Sequence, residues 1–246
     1  MIRARSVGGG RKTWLAVSVA VLTALLAPLG APAEESAPAP TFKAGMAWTY
    51  RQRDEISGRE TGVVRLEVVG VTTDRVTVGL AIVGEPAVNE RWDAVGNWEQ
   101  VGTQGSAWLA RLGSGAQRID FVPALPLYRF PLEAGKSWVD TVRAVDPGSG
   151  RKTEVKIFAK AVAWEEVTVP AGKFRALKVR RSIAPEDSDA TRSRTTINLI
   201  DWYAPQVGGT VKRICDWEHH DRHGASDQLV RGPRLRFELT AFEPAR

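Results

Sequence analysis

The sequence contains few of the residues that form disulfides and metal sites. Its 246 residues include one cysteine, Cys215, and three histidines. A single cysteine cannot form an internal disulfide, so the stability of the folded chain must come from its apolar core. Cys215 lies in the strand-like run "TVKRICDW" (210–217), which favours a buried, unreactive thiol.

Short catalytic motifs are also missing. The sequence has no G-x-S-x-G nucleophile elbow, no H-E-x-x-H zinc motif and no C-x-x-C pair. The S-x-x-K spacing at 149–152 falls in a turn signal rather than on a helix, so its serine is not positioned for acylation. We therefore expect a protein that is not an enzyme and that needs no cofactor.

After the N-terminal region no stretch shows a convincing run of helical period, and 106–113 is the one ambiguous segment. Apolar and polar residues alternate with period two, which is typical of half-buried β-strands. This pattern predicts an all-β fold, with strands in the runs 63–71, 74–83, 152–162, 174–183, 195–203 and 234–242.

Residues 1–33 have the pattern of a secretory signal peptide. A basic start precedes an apolar stretch, which ends in "APA" at Ala31–Ala33. We expect cleavage after Ala33, export to the periplasm or the extracellular space, and no membrane span in the cleaved protein. A retained membrane anchor is the alternative, although Pro28 and Gly30 interrupt its short apolar run.

Removing residues 1–33 changes the charge balance. Four of the 34 basic residues and none of the 28 acidic residues lie there, so the net charge falls from +6 to +2. A nearly neutral protein gives no electrostatic reason to expect nucleic-acid binding. Residues 34–41 form a Pro/Ala linker with little apolar content, and 42–246 is expected to be a single domain.

A weak internal repeat divides that domain into two similar halves, about 42–128 and 129–246. "FKAGMAWTY" (42–50) resembles "LEAGKSWVD" (132–140), which aligns Gly45 with Gly135 and Trp48 with Trp138. Two repeated antiparallel meanders are the simplest explanation. They would form curved sheets, arranged as an open barrel or as a sandwich.

"VPAG" (169–172) separates two alternating runs and predicts a hairpin turn. Pro170 presets the φ angle that the turn needs, and Gly172 accepts the left-handed conformation that closes a type I turn with a bulge. The motif has no acidic or nucleophilic side chain, so its role is structural.

"VPAGKFRALKV" (169–179), "DWYAPQVGGTVKR" (201–213) and "LPLYRFPLEAGKSW" (125–138) together carry a family resemblance. The chain resembles a group of exported bacterial proteins classed as domains of unknown function, with the pattern v-P-a-G-x-F followed by W-Y-a-P-x-v-G. Pro205 and Gly208 belong to the second motif as further structural turn residues. The resemblance implies an all-β fold of curved sheets, loosely similar to periplasmic lipoprotein carriers, and an envelope location. It supplies no catalytic residues.

The three histidines lie close together in "WEHHDRHG". His219, His220 and His223, with carboxylates beside them, could bind a metal ion. A solvated hairpin tip is the simpler interpretation, because neighbouring residues of a strand point to opposite faces.

Eight tryptophans follow the signal region. Trp48 and Trp138, aligned in the repeat, are expected to fill the core. Trp92, Trp98 and Trp108 lie in a less regular region and are our candidates for ligand contact. Trp92 and Trp98 also flank a Gly-Asn turn, whose hairpin would bring the two indoles together.

These features support three hypotheses for function. The leading one is a non-enzymatic exported envelope protein that binds an apolar ligand, or an acylated or peptide partner, on a concave β face. The second is a structural or interaction module of an envelope assembly, with a filled core and no cavity. The third is a metal-dependent hydrolase that uses the histidine cluster.

Overall fold

The computed structural model describes residues 35–103, 118–186, 193–221 and 228–245. Regular structure in these ranges consists of β-strands and one turn of 3-10 helix, Pro205–Val207. The strands are β1 (Ser36–Ala37), β2 (Ala47–Asp54), β3 (Glu60–Val71), β4 (Arg75–Ile82), β5 (Val88–Asp93), β6 (Trp98–Gly102), β7 (Arg118–Leu125), β8 (Leu132–Glu133), β9 (Ser137–Val145), β10 (Lys152–Val169), β11 (Gly172–Pro185), β12 (Ser193–Ala204), β13 (Gly209–Asp221), β14 (Gln228–Arg231) and β15 (Leu235–Glu243). Nothing helical in these ranges has the length and apolar character that a transmembrane helix needs. The predicted all-β class is confirmed.

The strands form a closed antiparallel barrel. From β2 to β13, strands adjacent in sequence are paired, except that the two-residue β8 pairs with β1 outside the barrel. β15 then pairs with both β13 and β2, which closes a ring of twelve strands, and β14 pairs with the end of β13 as an extra strand. Of the two architectures expected from the sequence, the structure is a barrel. It is closed rather than open because its first and last long strands pair with each other.

Alternation along the strands determines which residues fill the barrel. Residues 152–161 of β10 alternate strictly between exposed and buried positions, and Val155 and Ile157 are fully buried. This matches the period-two pattern of the sequence, because successive side chains of a strand point to opposite faces.

The two G-x-x-W segments have the same local geometry. Gly45 and Gly135 both have positive φ, of 88° and 90°, and the N–H of each donates to a strand carbonyl, that of Val68 or of Ala161. A β-bulge follows at the corresponding place, between Val68 and Gly70 in β3 and directly after Ala161 in β10. These matching features support the proposal that the domain consists of two similar halves.

Each repeated tryptophan packs in its own apolar cluster. Trp138 belongs to a cluster with Leu125, Leu132 and Ile157, built mainly on β7 to β12. Trp48 belongs to a second cluster, which contains Val68, Val78, Val211 and Leu239 among others. The interior is therefore packed in two regions rather than one.

Residues 35–42 are ordered against the barrel, although their composition suggested a linker that does not pack. Ala37 is fully buried in its pairing with Leu132, and the indole of Trp164 donates to the backbone carbonyl of Glu35. An ion pair of 2.9 Å joins Glu35 to Arg175. Backbone pairing and small side chains hold this segment, so hydrophobic content was a poor guide to its order. The signal-peptide prediction for 1–33 lies outside the described residues.

The two predicted turn motifs lie at the same end of the strands. Pro170 and Ala171 form the loop of the β10–β11 hairpin, and Gly172 follows with a φ of 136°. Pro205 opens the 3-10 turn, and Gly208 ends it in a left-handed conformation with φ 58°. Each glycine adopts a positive φ, which side chains disfavour.

Candidate functional site

A cavity of about 240 Å³ lies inside the barrel. Its wall is formed by β2 to β6 on one side and by β12, β13 and β15 on the other. Most lining side chains are aliphatic or aromatic, and they include Trp48, Leu66, Leu80 and Phe237. Trp138, the repeat counterpart of Trp48, is not among the lining residues. Residues of both apolar clusters line the cavity, and Trp48 is in the wall whereas Trp138 is not.

Phe42 completes the aromatic wall of the cavity. It precedes β2 and packs edge-on against two indoles, with ring centroids 6.2 Å from Trp48 and 6.0 Å from Trp92. A Cβ atom on Gly96 would lie 3.2 Å from Phe42 Cζ, so the turn at Gly96 approaches the ring closely. The segment before β2 thus contributes directly to the cavity.

Trp92 and Trp98 are cross-strand partners in the β5–β6 hairpin, and both line the cavity. The turn between them is fixed by Asp93, whose carboxylate accepts hydrogen bonds from the backbone N–H groups of Val95 and Asn97. The hairpin prediction is therefore confirmed. Ligand contact by Trp92 and Trp98 stays a prediction, and the third candidate, Trp108, lies outside the described residues.

Glu90 is a carboxyl group buried in this wall. It lies on β5, two residues before Trp92, so both side chains point to the same face of the strand. Its Oε2 accepts a hydrogen bond of 3.1 Å from the indole of Trp92, and its Oε1 accepts one of 3.3 Å from the backbone N–H of Gly102. Burial raises the pKa of Glu90 to about 7, despite these two hydrogen bonds and the nearby Arg213.

A cluster of charged side chains lies behind the opposite wall. Asp201, on β12, is fully buried and bonds to two arginines. Arg213 on β13 donates from Nε to Oδ1 (2.6 Å) and from Nη2 to Oδ2 (2.8 Å), while Arg181 on β11 donates from Nη1 to Oδ2 (2.7 Å). The hydroxyl of Tyr128 donates to the same Oδ2 at 3.0 Å. One carboxylate therefore accepts hydrogen bonds from two guanidinium groups.

The charges in this cluster stabilise one another. Burial alone would raise the pKa of Asp201, but Arg213 and Arg181 outweigh that effect and hold the pKa well below its usual range. Burial alone would lower the pKa of Arg213, but Asp201 raises it. Burial also raises the pKa of Tyr128. The lowered pKa of Asp201 and the raised pKa of Arg213 both favour the charged form of this pair.

The sequence analysis missed these charged residues, although a signal for each was present. In "INLIDWY" (197–203) the buried register is Ile197, Leu199, Asp201, Tyr203, so a carboxylate occupies an inward position. Arg181 follows Leu177 and Val179 in the same way, and Arg213 precedes Cys215. A charged residue in an apolar register is a signal for a buried ion pair.

The histidine cluster is only partly described. His219 and His220 are adjacent on β13, and Thr195 Oγ1 lies 2.9 Å from His219 Nδ1. His223 lies outside the described residues. Within the ranges that the structure describes, no group of three or more His, Cys, Asp or Glu side chains is placed to hold a metal ion. A metal site that includes His223 stays a prediction.

Comparisons with known proteins give distant structural likenesses. No protein-family model and no curated protein matches the chain. A solved structure from Bacteroides fragilis, described as an exported protein with a YmcC-like fold, is 15% identical with a TM-score of 0.47, and covers 85% of this chain and 100% of its own. One from Parabacteroides distasonis, described as a lipoprotein, is 16% identical with the same TM-score and the same coverage. The lipoprotein YmcC of Escherichia coli is 7% identical with a TM-score of 0.39, and covers 82% of this chain and 85% of its own.

Proposed function

We propose that this protein is an exported, non-enzymatic envelope protein that binds a small apolar or amphipathic ligand inside its barrel. The observation that carries the proposal is the cavity of about 240 Å³, which is lined by aromatic and aliphatic side chains and has a few polar groups in its wall. Concave apolar pockets with a few placed polar groups are the usual form of small-molecule sites. The export part rests on the signal pattern of residues 1–33.

The size of the cavity favours a small ligand over a bulky partner. Small-molecule pockets commonly enclose roughly 300–1,000 Å³, and this cavity is slightly smaller. A single alkyl or acyl chain fits such a space better than a peptide segment or a lipid with two chains. Within the leading hypothesis, these dimensions favour an apolar chain, either free or attached to a partner.

The alternative hypothesis is an interaction module whose barrel interior is filled by side chains, and Trp138 and Trp48 differ in how well they fit it. Trp138 is buried and does not line the cavity, although Leu127, Tyr128, Leu199 and Tyr203 of its cluster do. Trp48 is also buried, but it forms part of the cavity wall. We therefore favour ligand binding in the part of the barrel interior that Trp48 lines.

Native mass spectrometry tests the proposal. The full chain would be produced in a bacterium with its own N-terminal segment and purified without detergent. We expect an added mass that stays with the folded protein and is released on denaturation. A bare polypeptide that also fails to take up any single-chain amphiphile would contradict the proposal.

A matched pair of variants locates the ligand. Leu66→Trp on β3 would fill the cavity, whereas Val69→Trp on the same strand adds an indole at an exposed position. We expect Leu66→Trp to lose the added mass and Val69→Trp to retain it. Loss in both variants, or in neither, would place the ligand elsewhere on the protein.

A further inference from the structure

Arg213 presents a charged group to the cavity. Its side chain is 26% exposed and lines the cavity wall, and its guanidinium carbon lies 6.0 Å from the centre of the Trp98 ring. The two bonds to Asp201 use Nε and Nη2 and fix the plane of the group. Its Nη1 makes no hydrogen bond to any residue that the structure describes. A guanidinium group carries five N–H donors, so Arg213 keeps donors for a further acceptor.

Asp201 cannot balance the charge of both arginines. Its two oxygens already accept from Arg213, Arg181 and Tyr128, which leaves a cluster with two positive charges and one negative charge. Nη2 of the fully buried Arg181 also has no hydrogen-bond partner among the described residues. An uncompensated buried charge is strongly unfavourable, so a second anion at this place would stabilise the cluster.

The other carboxyl groups of the cavity wall do not supply that anion. Glu90 accepts hydrogen bonds from Trp92 and Gly102. Among the described residues it forms no ion pair with Arg213 within 4.0 Å. Its raised pKa also favours the neutral acid at mildly acidic pH. Asp216 accepts from Asn198 and pairs with Arg234 at 3.2 Å. The cluster of Arg181, Asp201 and Arg213 therefore has one positive charge in excess, and Arg213 presents it to a largely apolar space.

We propose that the ligand is a single-chain amphiphile with an anionic head group, which pairs with Arg213 while its apolar chain lies along the wall that contains Trp48, Trp92 and Trp98. This inference rests on the proposed function and names its ligand class. A charge-assisted hydrogen bond in a water-poor site is stronger than a neutral one. We therefore expect an anionic probe to bind at least tenfold more tightly than a neutral probe with the same chain.

Four ten-carbon probes test the head group. Decanoate, decyl phosphate, decanol and decylammonium would be titrated at about pH 6 into the full chain, freed of co-purified ligand, with binding followed by calorimetry. We expect the two anions to bind more tightly than decanol, and decylammonium to bind most weakly. The order of the two anions identifies a carboxylate or a phosphate as the preferred head group.

Variants of Arg213 show whether this residue causes the preference. Arg213→Gln removes the excess charge and leaves Arg181 and Asp201 as a balanced pair, so the barrel is expected to fold. It should lose the tighter binding of decanoate relative to decanol. Arg213→Lys should retain a preference for anions. Arg75→Gln, which removes a surface arginine paired with Glu99, is the control and should change neither affinity.

The outcomes separate this inference from the proposed function. Equal affinity for decanoate and decanol, or tightest binding of decylammonium, overturns the anionic ligand class while the cavity remains the binding site. An anion preference that survives in Arg213→Gln overturns the role of Arg213. Failure of all four probes to bind the wild-type protein overturns both. The comparison of probes on the wild type decides the ligand class even if a variant fails to fold.

Discussion

The indole of Trp92 donates a hydrogen bond of 3.1 Å to the carboxyl group of Glu90, two residues earlier on the same strand. The pair combines a ring that belongs to the aromatic wall of the cavity with a titratable group that has little access to water. Because burial penalises the carboxylate, protonation of Glu90 is linked to the stability of the whole barrel.

This linkage predicts a pH-dependent advantage for Glu90→Gln. The pKa of Glu90 is about 7 in the folded protein, against about 4.3 for an ordinary glutamate. Because its pKa is raised in the folded protein, Glu90 contributes stability that is fully present below the ordinary glutamate pKa of about 4.3. This contribution is lost as the pH rises through 7. Between pH 5 and pH 8 the wild type should therefore lose about 2 to 3 kcal/mol of unfolding free energy relative to Glu90→Gln.

Urea unfolding at several pH values measures this difference. Glu85→Gln, at an exposed loop position, should follow the wild type, and parallel curves for all three proteins would contradict the prediction.

Removal of the shared carboxylate should destabilise the fold strongly. Asp201→Asn leaves the buried Arg181 and the partly exposed Arg213 without their anion, and loss of one partner of a buried ion pair costs about 3 to 5 kcal/mol. Denaturant unfolding measures the loss. Asp74→Asn, at an exposed turn, is the control and should change stability by less than about 0.5 kcal/mol. A similar small effect for Asp201→Asn would show that the cluster is dispensable for folding.

Two glycines with nearly the same backbone angle should respond differently to alanine. Gly96 and Gly84 have φ values of 92° and 87°, so either substitution strains the backbone by about 1 kcal/mol or more. At Gly96 the new Cβ would also press on Phe42, whereas at Gly84 nothing lies within 4 Å. We expect Gly96→Ala to lower the thermal midpoint clearly more than Gly84→Ala. Equal shifts would mean that the Phe42 ring moves without cost.

The single thiol should react slowly. Burial raises the pKa of Cys215 to about 11, which lowers its thiolate fraction about 100-fold at pH 8 relative to an unshifted thiol. Alkylation monitored by mass spectrometry should therefore be slow in the folded chain and fast in denaturant. A Cys215→Ser chain that carries Ile56→Cys offers an exposed thiol as the control. Rapid labelling of native Cys215 would contradict the prediction.

Alternation along the strands was the part of the structure that the sequence revealed most directly. Leu235 and Phe237 are alternate residues of the predicted strand 234–242, and both line the cavity. Such a pattern identifies the buried face of each strand, but it does not identify the partner strand. Closure of the barrel depends on pairing between β15 and β2, and no local signal in either strand specifies it.

The charged part of the site was harder to predict for a physical reason. Asp201 and Arg213 interact through side chains that are adjacent only after β12 and β13 pair. Taken singly, each is an ordinary surface residue type, and only its position in an apolar register distinguishes it. Ala37 shows the opposite case, because a short segment with little apolar content is held by backbone pairing.

The pairing of β15 with β2 also has a consequence for how the chain folds. Residues such as Leu239 and Tyr50 become partners although almost two hundred positions separate them in the sequence. The other barrel pairings join consecutive strands and can form progressively, but this last seam requires both ends of the domain at once. Loss of the segment that contains β15 would expose unpaired backbone groups along β2 and part of β13, and such edges promote association between chains. We therefore expect β15 to oppose aggregation of the folded chain in addition to completing the barrel wall.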